Sequence, residues 1–222
     1  MGRHGIMSEN RYCVPICLEK GDEMAGYAQE HIYYTLMNLM NECALDDIKV
    51  SDIVEKGRIN RKTFYYHFHG IEDLLKWCIS IQMNELNLND ADEANWKEKM
   101  GKLICLIENQ KNFFNLLFES KYAAEISDYL CVKLRPYIVK FTENCIKRAE
   151  YIRGSAINIE GKYFEYIVDY YLKGVMSLVE EWILGKCTES NDEFLNIIDN
   201  LTKNTIFNVI DAFCPANPSN QS

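Results

Sequence analysis

Two short amphipathic segments, Val50–Lys56 and Ile59–Phe68, stand on either side of Gly57. Segments of one to three helical turns joined by a tight glycine-containing turn predict a helix-turn-helix, and few folds accommodate one. The second segment reads Ile-Asn-Arg-Lys-Thr-Phe-Tyr-Tyr-His-Phe. Asn60 is suited to capping its helix, because its side chain can accept from the free first-turn amides. Phe64 and Phe68 lie four apart and share an inward face with Ile59. Arg61, Lys62, Thr63, Tyr65, Tyr66 and His67 are left for the outer surface.

The charge of this stretch opposes that of the chain. From Lys56 to His69 it carries Lys56, Arg58, Arg61 and Lys62 and no acid, whereas the protein has a net charge of -9. A local positive patch on an acidic protein implies a specific anionic partner rather than general adhesion. The plain alternative makes the tyrosines core and the charges merely solvated. Groove-reading cations and phosphate-binding hydroxyls on one short helix, behind a helix that fits the same motif, weigh for double-stranded DNA.

These residues resemble the DNA-binding domain of the TetR/AcrR family of bacterial transcriptional regulators. The similarity runs from about His31 to Leu75. It rests on Ile48-Lys49-Val50-Ser51-Asp52-Ile53, on Ile59 to Phe68, and on Glu72-Asp73-Leu74-Leu75. Phe113-Phe114-Asn115-Leu116-Leu117, and Gly174 followed by Glu181-Trp182-Ile183, resemble the branch that includes the dihydroxyacetone-kinase regulators. The resemblance implies an all-α chain with an N-terminal three-helix DNA-binding domain and a C-terminal helical ligand-binding and dimerisation domain. By position in the family motif, Arg61, Lys62 and Tyr66 face base edges, while Thr63, Tyr65 and His67 hold phosphates. Ser51 adds a base or phosphate contact, and Asn60 completes the DNA-binding set.

Three positions depart from the family pattern. Arg58 stands where the turn usually has glycine, so either Arg58 tolerates a positive φ at about 1 kcal/mol or the turn is shifted. Lys49 stands where the second helix usually opens with Thr or Ser, which leaves its N-cap open. Ile71 replaces a lysine that contacts phosphate in some members, and one backbone contact is lost with it.

A chain of 222 residues, 48% hydrophobic and 26% charged, is ordinary for one or two soluble domains. Nine cysteines are scattered without a Cys-x-x-Cys pair, and most fall at apolar positions of predicted helices. That argues against a disulfide framework or a zinc site and for a reducing cytoplasm. Cys13 and Cys17 form the one close pair, with nothing nearby to lower a thiol pKa. No apolar run reaches the roughly 20 residues that span a bilayer, and Tyr12–Leu18 is too short for a signal-peptide core.

Apolar spacing is helical almost throughout, and no alternating strand pattern is found. The reading divides the chain into an arm at 1–24, a DNA-binding domain at 25–70, a regulatory and dimerisation domain at 71–214 and a tail at 215–222. The arm has no clear periodicity and reads as disordered or as an over-long start, rather than as an Arg3/Arg11 arm that reaches DNA. Helices are predicted over Ala25–Cys43, Val50–Lys56, Asn60–Phe68 and Ile71–Leu86, then over Trp96–Glu108, Lys111–Glu119, Ala123–Ile152, Lys162–Leu184 and Asp192–Phe213. Pro136 is expected to kink or interrupt the seventh of these. Ser190 and Glu193 form a capping box at the start of the last.

The last two helices present apolar faces too large for a small monomer to cover. A homodimer is therefore expected, with Tyr170, Gly174, Ser177, Leu178, Ile198, Leu201, Ile206 and Val209 in its interface. One short recognition helix reads few base pairs, so pairing also suits a pseudo-palindromic operator. Trp77, Phe113, Phe114, Phe118, Tyr122, Tyr166 and Trp182 are the candidate lining of a small-molecule effector pocket, with ordinary core packing as the alternative. No phosphate loop, nucleophile elbow or metal-ligand cluster is present in the sequence, and no cofactor or metal is expected. The function read from the sequence is a cytoplasmic, homodimeric, DNA-binding transcriptional regulator, a repressor. The competing reading keeps the fold but acts as a coactivator docked on another regulator.

Overall fold

The computed structural model describes residues 23–86, Leu88 and residues 94–213. Arg3, Arg11, Cys13, Cys17, most of the Asn/Asp-rich segment after Leu86 and the tail beyond Phe213 lie outside the described residues. All regular elements among them are helical: α1 (Glu23–Met40), α2 (Val50–Lys56), α3 (Arg61–His67), α4 (Ile71–Glu85), α5 (Trp96–Asn109), α6 (Lys111–Phe118), α7 (Ala123–Arg153), α8 (Gly161–Ile183) and α9 (Asn191–Phe213). The chain forms two compact units, divided between Leu74 and Leu75.

In the first unit, α1, α2 and α3 pack on one another. Ile32, Leu36, Leu45, Ile53 and Phe64 are fully or almost fully buried there. Cys43, the last residue of the first helix in the sequence reading, is instead exposed beyond the end of α1. Its N–H donates to the Leu39 carbonyl at 3.0 Å and its thiol to the same carbonyl at 3.5 Å.

In the second unit, α7 packs on α8 and α9, α5 packs on α9, and α6 lies against α8. Trp96 joins two of these helices, its indole N–H donating to Thr202 Oγ1 at 3.2 Å and its ring tilted against Phe141 at 4.5 Å. The Trp182 and Phe194 rings stack at 5.0 Å. Arg135 reaches from α7 to both Glu165 and Asp169 on α8, and its guanidinium holds the Asp169 carboxyl below the usual carboxylate range.

Pro136 does not interrupt α7, which runs unbroken over 31 residues. The proline sits on the exposed side of the helix. The capping box of α9 forms as its residues predict. The Ser190 N–H donates to Glu193 Oε2 at 2.9 Å, and the Glu193 N–H returns to Ser190 Oγ at 3.4 Å. Both donors of Ser190 together hold the Glu193 carboxyl below its ordinary range.

Candidate nucleic-acid interface and regulatory cavities

The turn between α2 and α3 settles the choice left open at Arg58. Arg58 takes the left-handed conformation, with φ 50°. Gly57 has an ordinary helical φ of -76° and is needed for a different reason. A Cβ there would lie 2.8 Å from the Ile53 carbonyl oxygen and 3.1 Å from Thr35 Oγ1. The chain thus uses its glycine to bring α2 against α1, and a non-glycine residue carries the strained φ.

At the start of α2, Lys49 supplies no side-chain cap. The Asp52 carboxylate turns back to accept the Lys49 N–H at 2.8 Å, which is the returning half of a capping box. Its other oxygen accepts weakly from Ser51 Oγ at 3.3 Å. At the start of α3, Asn60 Oδ1 accepts the Lys62 N–H at 2.8 Å, as its position predicts. Phe64 and Phe68 are buried with ring centroids 5.9 Å apart, and Ile59 is half-buried.

Arg61, Lys62, Tyr65 and Tyr66 are exposed on α3, Tyr66 at 81%, while Thr63 and His67 are half-buried. The Arg61 guanidinium lies over the Tyr65 ring at 5.8 Å, and the Tyr66 and His67 rings meet edge-on at 4.8 Å. Partial burial lowers the His67 pKa, so the imidazole is largely neutral near pH 7. Lys56 forms an ion pair with Glu42 and is less available than the sequence suggests. Arg58, Arg61 and Lys62 have no carboxylate partner among the described residues.

The two cavities described in the second unit include two of the seven aromatic residues named from the sequence. Two adjoining apolar cavities in the second unit, of about 50 and 40 Å³, share Leu103, Leu134, Met176 and Val179 as walls. Phe114 and Phe118 line the smaller one. Trp77, Phe113, Tyr122, Tyr166 and Trp182 line neither. Phe113 packs edge-on against Phe114, Trp182 is held by Phe194, and Tyr166 points to solvent. Large rings fill space more often than they border a void, and these five residues do not border the two described cavities. The residues it missed include Lys99 and Tyr137 at the larger cavity and Gln82 at the smaller. A glutamine between the apolar residues Ile81 and Met83 was the available signal.

The predicted dimer face also needs correction. Ile198 and Ile206 are both 0% exposed within the single chain and are therefore core residues, out of reach of a second molecule. Their helix presents Ile197 and Leu201 outward instead, Leu201 at 48%. Leu178 and Val209 are half-buried, whereas Tyr170, Gly174 and Ser177 are exposed on α8, Tyr170 at 70%. Gly174 has open space where a side chain would stand.

Among the described residues no group of His, Cys, Asp and Glu side chains could hold a metal ion, and no helix is long and apolar enough to cross a membrane. The cysteines among them are free, and burial raises the Cys78 thiol pKa well above its ordinary value.

The chain is similar to known regulators in both sequence and fold. It is 30% identical over 90 residues to the HTH-type dhaKLM operon transcriptional activator DhaS of Lactococcus lactis subsp. lactis (strain IL1403). That match covers 40% of this chain and 48%, about half, of the relative's length. A solved structure named dihydroxyacetone kinase operon activator DhaS aligns with a TM-score of 0.55 at 20% identity, covering 84% of this chain and 98% of that one, and it supports the all-α fold. Residues 94–204, half of the chain, match the TetR-type family model described as "Transcriptional regulator C-terminal region". With the helix-turn-helix arrangement of α2 and α3, this places the chain in the family of TetR-type transcriptional regulators.

Proposed function

We propose that the protein is a homodimeric regulator that binds a pseudo-palindromic operator through α3. The observation that carries this reading is the outer face of α3. It combines unpaired Arg61 and Lys62, exposed Tyr65 and Tyr66, and the half-buried Thr63 and His67 on a helix fixed from behind by Phe64 and Phe68. Arg61, Lys62 and Tyr66 read base edges; Thr63, Tyr65 and His67 hold phosphates, with Ser51 at the start of α2 as an added contact. Dimerisation uses the outward strips of α8 (Tyr170, Gly174 and Ser177) and α9 (Leu201). A small effector in the second unit's cavities shifts operator affinity by its preference for one of two states.

The sequence reading favours repression, whereas the relatives are named as activators, which weighs for activation. An electrophoretic shift with the protein's own promoter DNA at moderate salt, joined to sedimentation of the free protein, tests the reading. A retarded complex formed by a dimer is expected. Failure of the pure protein to shift any promoter fragment would favour a coactivator that docks on another regulator.

A further inference from the structure

Gln82 lies on α4 at the wall of the smaller cavity and is 3% exposed. Neither its side-chain N–H nor its carbonyl oxygen has a hydrogen-bond partner. A buried primary amide without partners is a standing cost, and such groups in native proteins call for an explanation. Every other residue that lines this cavity is apolar. A trapped water needs two to four polar partners, which this wall does not offer beyond Gln82 itself. An apolar ligand with no polar group would leave the amide as it is.

We infer that the two adjoining cavities take a small, neutral, mainly apolar molecule carrying a primary or secondary amide, with Gln82 as the residue that recognises it. An amide offers one acceptor and at least one donor, which matches the acceptor and donors of the glutamine side chain. The apolar remainder lies along Leu103, Leu134, Met176 and Val179, the walls common to both cavities. At roughly 10–15 Å³ for each water-sized group, the two cavities together take about six to nine non-hydrogen atoms. Lys99 borders the larger cavity but already has an interaction within the chain, so a neutral ligand fits better than an anion. This inference rests on the effector reading above for its regulatory meaning, not for its binding chemistry.

The test is a ¹⁵N nuclear magnetic resonance titration of the full chain, free of DNA, with pentanamide, pentanoate and toluene as probes. Pentanamide should move the Gln82 side-chain N–H₂ signals and bind at least about tenfold tighter than pentanoate. Gln82→Leu should weaken pentanamide by about tenfold or more while keeping toluene binding, because the apolar walls remain. Gln82→Met serves the same purpose should the leucine variant fail to fold. Equal pentanamide affinity with and without Gln82, or Gln82 signals unmoved by saturating pentanamide, would overturn the inference. Persistent water cross-peaks at the Gln82 amide that pentanamide does not displace would overturn it too. Operator affinity with and without the same probe is measured separately. Pentanamide binding through Gln82 without any change at the operator keeps the site and removes its effector role.

Discussion

The Nε2–H of His31 donates to the carbonyl oxygen of Gly57 at 2.7 Å, tying α1 to the last residue before the turn of the DNA-binding motif. The same glycine presses its α-carbon face toward Thr35. Two residues one turn apart on α1 thus fix the point where the chain changes direction, and the next residue, Arg58, absorbs the conformational cost with its positive φ.

Exchange of these two positions should have opposite effects. Gly57→Ala drives a methyl group into the Ile53 carbonyl and should destabilise by about 1–3 kcal/mol. Arg58→Gly relieves strain of about 1 kcal/mol but adds unfolded-state freedom of similar size, so it should be neutral or gain less than about 1 kcal/mol. Thermal unfolding of the two single variants decides this. A Gly57→Ala protein as stable as the parent would refute the close-approach account.

Surface and core positions of α9 should separate cleanly. Ile198→Glu buries a carboxylate where there is no solvent and should unfold the second unit rather than merely divide a dimer, at several kcal/mol. Leu201→Glu and Tyr170→Glu alter exposed positions and should leave helix content intact while producing monomers. Circular dichroism with sedimentation velocity distinguishes the two classes. A folded dimer with Tyr170→Glu and Leu201→Glu combined would place the interface elsewhere.

Arg61→Ala should cost about 1–3 kcal/mol of operator binding and relax preference at one base pair in each half-site. Thr63→Val should weaken all sequences alike, because a phosphate contact carries no base information. Binding to a panel of single-base operator variants provides the comparison. An unchanged ranking with Arg61→Ala would remove the base-reading role.

His67 should make DNA affinity depend on pH. Its folded pKa is lowered by burial, so in the free protein the imidazole takes up a proton only below the ordinary histidine range. Nearby phosphate favours the charged form, and operator affinity should therefore rise as pH falls into the range where the imidazole takes up its proton. The sign for folding is the reverse. The unfolded chain protonates first on acidification, so this residue's contribution to stability diminishes as pH falls through the unfolded value. Operator titrations of the parent and His67→Gln between about pH 5.5 and 8 test the first statement and thermal unfolding over the same range tests the second; in either, a pH slope that persists in the variant would assign it to another group.

The helical elements were legible because their apolar residues recur at helical spacing and their ends carry local signals. Asn60 caps α3 and Ser190 pairs with Glu193 at α9, both through bonds within four residues. Such chemistry is written in neighbouring letters. The outer face of α3 could be read because Phe64 and Phe68 fix its rotation. Ile198 and Ile206 could not be assigned to core or interface in this way, since either environment selects the same apolar residue. The cavity walls were hidden for a related reason. Leu103, Leu134, Met176 and Val179 come from three helices, and only their assembly leaves a space between them. Pro136 shows the converse, a strong local signal that does not end α7, which continues through it to Arg153.

The ion pair of Lys56 with Glu42 reduces the number of counterions the protein can displace from DNA. A cation already neutralised at home releases little from the phosphate backbone on binding. Arg58, Arg61 and Lys62 remain, which gives about six phosphate-neutralising cations for a dimer if all engage. The logarithm of the binding constant should then fall with the logarithm of salt concentration at a slope of about -5, steeper by roughly two if both copies of Lys56 were free. Glu42 thereby sets how far cellular ionic strength governs this protein's residence on DNA, without itself touching the nucleic acid.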